Sequence, residues 1–195
     1  RMELARVGQR TEHKYIGVMC GIMDQAISCL GKKGSLLRLD CRSGEYEYFP
    51  WNPKGYQLVL VNSCVKHTLA GSPYNERRLQ CEHVAEIIGK AHPEVKSLRD
   101  ANMEMLKEVK GEITGDEYKR ARYVIGEVER VLAVCEALKI DDYEMVGKMM
   151  YETHYGLSKE YEVSCEELDY LNEIAKETGV TGSRIMGGGF GGCTI

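Results

Sequence analysis

Residues 186–195 read Met186-Gly187-Gly188-Gly189-Phe190-Gly191-Gly192-Cys193-Thr194-Ile195, and the reading of this run decides the fold. It contains Gly-x-Gly-x-x-Gly, the spacing of a dinucleotide fingerprint in a parallel α/β domain. That fingerprint requires a helix directly after the glycines and an acidic residue about 20 positions further on. Here the glycines lead into Cys193-Thr194-Ile195, a strand-like run, and no Gly-Lys-Ser/Thr follows at phosphate-loop spacing. A glycine loop between two strands remains, with Ser183 to Met186 as the first arm and Cys193 onward as the second. Several glycines in so short a loop answer a need for positive φ or for close approach of another group. Two readings stay open: a tight turn, or a loop that faces an anion or substrate.

Upstream of the loop the chain is mostly helical, and its start signals are clear. Ser72 with Pro73 opens a helix to about Ile88, closed by Gly89. Thr114 with Glu117, Asp141 with Glu144, and Ser164 with Glu167 each have capping-box spacing and predict three more helices. The longest spans about residues 116–138, with a seam of Tyr118, Ala121, Ile125, Val128, Leu132 and Cys135. Met145, Met149 and Met150 read as core filler.

The first quarter alternates differently. Leu4, Val7, Thr11 and Tyr15 mark one helix face, and after Gly17 a second helix carries Ile22, Met23, Ala26, Ile27 and Leu30 on one side. From Gly34 the period becomes two: Ser35–Cys41 and Glu45–Phe49 form a hairpin through Arg42-Ser43-Gly44. Tyr56–Asn62 reads as a buried strand, and the turn-rich joint Pro50–Gly55 places a domain boundary between 1–52 and 53–195. The fold expected is α+β, helices packed on antiparallel strands.

The chain of 195 residues carries a net charge of −4 with 29% charged residues of both signs, so it has no basic footprint for nucleic acid or an anionic membrane. Apolar runs such as Leu58-Val59-Leu60-Val61 are far short of the ~20 residues of a spanning helix. The eight cysteines form no Cys-x-x-Cys pair and read as small buried hydrophobes in a reducing compartment, so a cytoplasmic protein is expected. The helix-like opening at Arg1 and the strand-like close at Ile195 suggest a fragment of a longer polypeptide.

Few constellations can carry chemistry. Cys20-Gly21-Ile22-Met23-Asp24-Gln25 puts Asp24 in the first turn of a helix, where unpaired amides favour a negative charge. Asp24 is then either a dipole partner or a group that orients or deprotonates a hydroxyl. Asn62-Ser63 with Lys66-His67 is either turn chemistry or a polar site beyond a strand end. His83 with Glu86, and His154 near Glu152, lack a second ligand pair at metal spacing and read as structural or exposed; no metal site is expected. Arg77 and Arg78 beside Glu76 read as a solvated helix face.

Taken in order, Cys20–Gln25, Asp40-Cys41-Arg42-Ser43, Asn62-Ser63, Val65-Lys66-His67, Tyr74, Arg77-Arg78, Cys81-Glu82, Gly126-Glu127, Tyr161–Ser164 and Gly187–Cys193 resemble the galactokinase family. That family belongs to the small-molecule kinases that also include homoserine, mevalonate and phosphomevalonate kinases. The resemblance runs nearly end to end. It implies a two-lobed kinase fold whose N-terminal lobe is incomplete here: 1–52 would end the nucleotide- and sugar-binding lobe, and 53–195 would form most of the C-terminal lobe. It also implies phosphoryl transfer from ATP, with Mg²⁺, to the anomeric hydroxyl of galactose. Asp24 falls on the family's aspartate that acts on this hydroxyl. Gly21 and Tyr74 fall, with Asp24, on sugar-contacting positions, and Gly187, Gly188, Gly189, Gly191 and Gly192 on the third motif beside the active site. Met186 stands where members usually carry Thr, and Gly188 where they carry Ala. The family's first motif and the serine-rich phosphate loop of its second are not among these residues, so these residues alone are expected to lack the activity. A non-catalytic galactose sensor and a kinase for a related sugar such as N-acetylgalactosamine are the alternatives. No partner protein is indicated.

Overall fold

The computed structural model describes residues 1–66 and 73–195. By internal packing they divide into two compact units, Arg1–Gln57 with Cys135–Tyr143, and Leu58–Val134 with Glu144–Ile195. The fold is α+β: small antiparallel sheets among helices.

In the first unit, α1 (Met2–Thr11) runs into a π-helical turn, Glu12–Ile16, which Gly17 stops in the left-handed region at φ 77°. It packs against α2 (Met23–Leu30) through small residues. Ala5, Ala26 and Leu30 are buried together, and Gly8 lies against the Gln25 stem. The bulky face expected to be internal, Leu4, Val7 and Tyr15, points outward; Tyr15 is 82% exposed. The close approach that Ala and Gly permit decides which face of α1 is buried. The hairpin forms as the alternation predicts, with β1 (Ser35–Leu39) antiparallel to β2 (Tyr46–Pro50) and Leu37 opposite Tyr48. The Asp40 carboxylate accepts the Arg42 and Ser43 amides at 2.8 and 3.1 Å, which turns the chain between the strands. Trp51 stands edge-on to Tyr143 at 5.2 Å.

The stretch Tyr56–Asn62, expected as a buried strand, reduces to β3 (Val61–Asn62) in the second unit, and Leu58, Val59 and Leu60 are more than half exposed. Only two residues find a ladder partner, in β4 (Cys193–Thr194), so the apolar run has neither a full sheet nor a covering layer among the described residues. α3 (Tyr74–Ala91) opens after Pro73, Ser72 lying outside the described residues. Gly89 does not end this helix. It is carried inside it, with the Val95 carbonyl 3.2 Å from where a Cβ would stand, and the helix stops ahead of His92-Pro93. After α4 (Met103–Glu108), α5 (Gly115–Lys139) starts with the expected reciprocal cap. The Glu117 amide donates to Thr114 Oγ1 at 3.2 Å, and the Thr114 amide donates to Glu117 Oε2 at 2.8 Å. His83 Nδ1, 2.7 Å from Glu117 Oε1, ties α3 to this cap. The predicted seam is buried at Ala121, Ile125 and Cys135 but exposed at Leu132.

α6 (Tyr143–Lys159) and α7 (Glu166–Glu177) complete the helices. Asp141 precedes α6 at φ 56° and accepts the Tyr143 hydroxyl at 3.0 Å. The box expected between Ser164 and Glu167 is absent, because Ser164 donates to Asp169 at 2.5 Å and Cys165 is the N-cap. Met149 and Met150 are half-buried and Met145 is exposed, so none of them fills a core. In the second unit one core cluster forms around Val84, Ile88, Leu106 and Ile125, and another around Tyr123, Leu157, Val163, Leu168 and Ile185. All eight cysteines are free, and only Cys135 is buried; Cys41 and Cys64 are exposed, contrary to the reading of all eight as interior hydrophobes.

Candidate functional site

The glycine run joins two antiparallel arms. The Met186 amide donates to the Cys193 carbonyl at 3.0 Å, and Arg184 and Ile195 exchange both backbone bonds at 3.0 and 2.9 Å. β3 flanks the second arm, and the Ser63 amide donates to Gly192 O at 2.9 Å. Within the loop Gly187, Gly189, Gly191 and Gly192 all take positive φ, as does Phe190 at 61°. The loop is also held from two sides. The Phe190 amide donates to Val163 O at 2.6 Å, and the Gly192 amide donates to Val65 O at 3.3 Å. Backbone stands so close that a Cβ on Gly189 would lie 2.1 Å from Val163 O, and one on Gly191 2.6 Å from Val65 O. The need for glycine is therefore twofold at these positions, conformational and steric.

The Asn62-Ser63 pair serves this anchor. Asn62 Oδ1 accepts the Cys64 amide at 2.9 Å and Ser63 Oγ accepts the Val65 amide at 3.3 Å, with Cys64 at φ 60°. Turn chemistry, one of the two readings of these residues, is what they perform here; His67 lies outside the described residues. Tyr74, half-buried, is the first residue of α3. One turn on, Arg77 is buried, not solvated as its charged neighbours suggested. Its Nε donates to Tyr161 O at 2.9 Å and its Nη2 to Glu162 O at 3.3 Å. Arg78 behaves as expected, paired with Glu82 on the surface.

Behind the Val163 anchor is a polar cluster that sequence reasoning missed. Asp169 on α7 accepts Ser164 and Ser158 hydroxyls at 2.5 and 2.7 Å, and His154 Nε2 lies 3.2 Å from it. His154 is buried, its Nδ1 without a partner among the described residues. Burial works to raise the Asp169 carboxyl, but the two hydroxyls and Lys159 outweigh it and hold the group below the ordinary carboxylate range. A depressed carboxyl stabilises the fold above its unfolded pKa, and that contribution is lost as pH falls through the folded value. The stability difference between the unaltered protein and Asp169→Asn is therefore expected to be full above about pH 5 and to narrow steadily as pH falls below about 4 toward and through the folded value. Melting temperatures of both proteins across that range check this; a constant gap would contradict it.

In the first unit, Gly21 and Asp24 are exposed on one short segment. The Cys20 carbonyl ahead of them accepts Gln9 Nε2 at 3.2 Å and lies 2.9 Å from His13 Nε2, so α1 and the π-helical turn after it hold this segment from behind. Nothing lies within 4 Å of a Cβ built on Gly21. Asp24 sits in the first turn of α2, its carboxylate toward solvent, at the end of the helix that favours an anion. Elsewhere, an open cleft of about 460 Å³ is lined in part by Arg122, Tyr123, Arg130 and Tyr155. It contains none of the expected site residues, and both its arginines are engaged, Arg122 with Glu160 and Arg130 with Glu127. Among the described residues no group of three or more His, Cys, Asp or Glu could hold a metal ion. None of the helices there is long and apolar enough to cross a membrane.

Comparison with known proteins gives a consistent result. Residues 133–195 match the family described as GHMP kinases C terminal. The galactokinase of Bos taurus is 45% identical over 98% of this chain and 48% of its own length. That of Thermotoga petrophila is 42% identical over 100% of this chain and 53% of its own. The crystal structure of Lactococcus lactis galactokinase complexed with galactose superposes with a TM-score of 0.91 at 34% identity, covering 100% of this chain and 50% of that one. The chain thus spans about half the length of the curated relatives it matches. Residues 133–195 thus match the C-terminal family of the GHMP kinases, and along nearly its whole length the chain is similar in sequence and in fold to galactokinases.

Proposed function

We propose that the protein carrying this chain is a cytosolic kinase that transfers the γ-phosphoryl group of ATP to the anomeric hydroxyl of galactose. The observation that carries this reading is the end-to-end match in sequence and fold to galactokinases, one of them in complex with galactose. In it, residues 1–52 end the nucleotide- and sugar-binding lobe and 53–195 form most of the C-terminal lobe. Asp24 accepts the proton of the anomeric hydroxyl or holds that hydroxyl in line with the phosphorus. Gly21, with open space where a side chain would be, and Tyr74, at the start of α3, each stand at a position that contacts the sugar in the family. The loop of Gly187, Gly188, Gly189, Gly191 and Gly192 takes the place of the family's third motif, and backbone fixed in advance suits a reaction whose catalysis is mostly positioning. The Mg²⁺ that accompanies such kinases finds no ligand cluster among the described residues, and no step here passes through it.

The test is galactose-dependent ADP formation. The full-length protein is expected to show it, and the isolated 195 residues are expected to show none, because the family's phosphate loop is not among them. Galactose binding without turnover by the full-length protein would favour a sensor. Preference for N-acetylgalactosamine would reassign the substrate.

A further inference from the structure

One of the two carbonyls that hold the glycine loop is Val163 O, and the segment that presents it, Tyr161–Ser164, is gripped from three helices. From α3, Arg77 donates to the two carbonyls just before Val163, at Tyr161 and Glu162. From α5, Arg120 Nη2 donates to the Glu162 carboxylate at 3.0 Å. From α7, Asp169 holds the Ser164 hydroxyl at 2.5 Å. The grip constrains a segment with little freedom of its own. Glu162 is at φ 57°, Val163 is 2% exposed, and the Val163 amide is already spent on Leu157 O at 3.0 Å. Arg77 itself is 8% exposed, and a buried guanidinium keeps one orientation only where its donors are met.

We propose that Arg77 is a positioning residue for the glycine loop: by holding the Tyr161 and Glu162 carbonyls it fixes the height of Val163 O, and so of Phe190 and Gly189, relative to the start of its own helix. That helix begins with Tyr74, one turn before Arg77. One side chain therefore sets two parts of the unit in register, the Tyr74 end of α3 and the loop 187–192. The proposal rests on the reading above only in calling these two parts a sugar-contacting position and the family's third motif. The mechanical link stands without it.

Two readouts separate the link from the function. Arg77→Met keeps the aliphatic stem and removes the carbonyl bonds, Arg77→Lys restores one donor, and Ser164→Ala releases the segment from the opposite side. In the full-length protein, Arg77→Met and Ser164→Ala are expected to speed hydrogen exchange at the Phe190 amide by about tenfold or more while core amides of α3 stay protected. kcat/KM for galactose is expected to fall roughly 10- to 100-fold in Arg77→Met and to recover in part in Arg77→Lys. Unchanged Phe190 exchange in the folded variants overturns the proposal. If Arg77→Met does not fold, the Arg77→Lys and Ser164→Ala exchange rates decide. If the unaltered protein phosphorylates no galactose, the functional reading fails and the exchange arm still decides the link.

Discussion

Asp24→Asn in the full-length protein is expected to lower kcat by roughly 10²- to 10⁴-fold, the usual worth of a general acid or base, with a smaller effect on galactose binding. The structure explains why so small a change should act on chemistry and not on the fold. Asp24 is exposed, its helix is buried through Ala26 and Leu30, and the segment before it is held through the Cys20 carbonyl. Asparagine keeps the shape and can accept a hydrogen bond, but it cannot take the proton. The lost partner of the helix dipole is worth no more than about 1 kcal/mol. Turnover and thermal unfolding should be measured on one preparation. Near-normal kcat with a large fall in melting temperature would return Asp24 to the scaffold.

The sequence disclosed local structure best where one residue type has one physical use. Thr114 and Glu117 cap each other as their spacing predicts, and the two-residue period of 35–49 yields the hairpin. The glycine run was legible as a loop between two antiparallel arms because a helix-start fingerprint needs residues that do not follow it, although the first arm, expected as a strand over Ser183–Met186, forms only an isolated bridge at Ile185. Burial was legible least. Leu4 and Tyr15 satisfy a helical period yet face outward, because α1 packs through Ala5 and Gly8, whose advantage is the approach they allow and not their own hydrophobicity. Tyr56–Asn62 has strand composition, but a strand also needs a partner of its length, and composition does not supply one. Arg77 failed for a related reason. Its carbonyl acceptors lie more than 80 residues away, and no window along the chain contains both. Of the candidate site, Asp24 and the glycine loop stood out as residues in the sequence, whereas the carbonyls of Val65 and Val163 that shape the loop are backbone and leave no residue signature.

The same backbone contacts rank the loop glycines. At Gly187, φ is 81° and nothing lies within 4 Å of a built Cβ, so Gly187→Ala meets only the left-handed penalty of about 1–2 kcal/mol, partly offset by a less flexible unfolded chain. At Gly189 the same conformation, φ 80°, is joined by Val163 O at 2.1 Å and the Val163 carbonyl carbon at 3.0 Å. These are backbone atoms, and the Arg77, Arg120 and Asp169 contacts oppose their retreat. Either the loop or its anchor must move, and moving the loop breaks the Phe190 bond to Val163 O. Gly189→Ala is therefore expected to cost more than about 3 kcal/mol and to lower turnover with it. Gly191→Ala, facing Val65 O at 2.6 Å, should fall between the two. Chemical denaturation and turnover of all three variants, made in the same full-length protein, give the order directly. Equal, small losses at 187, 189 and 191 would mean that the loop yields freely and that Val163 does not hold it.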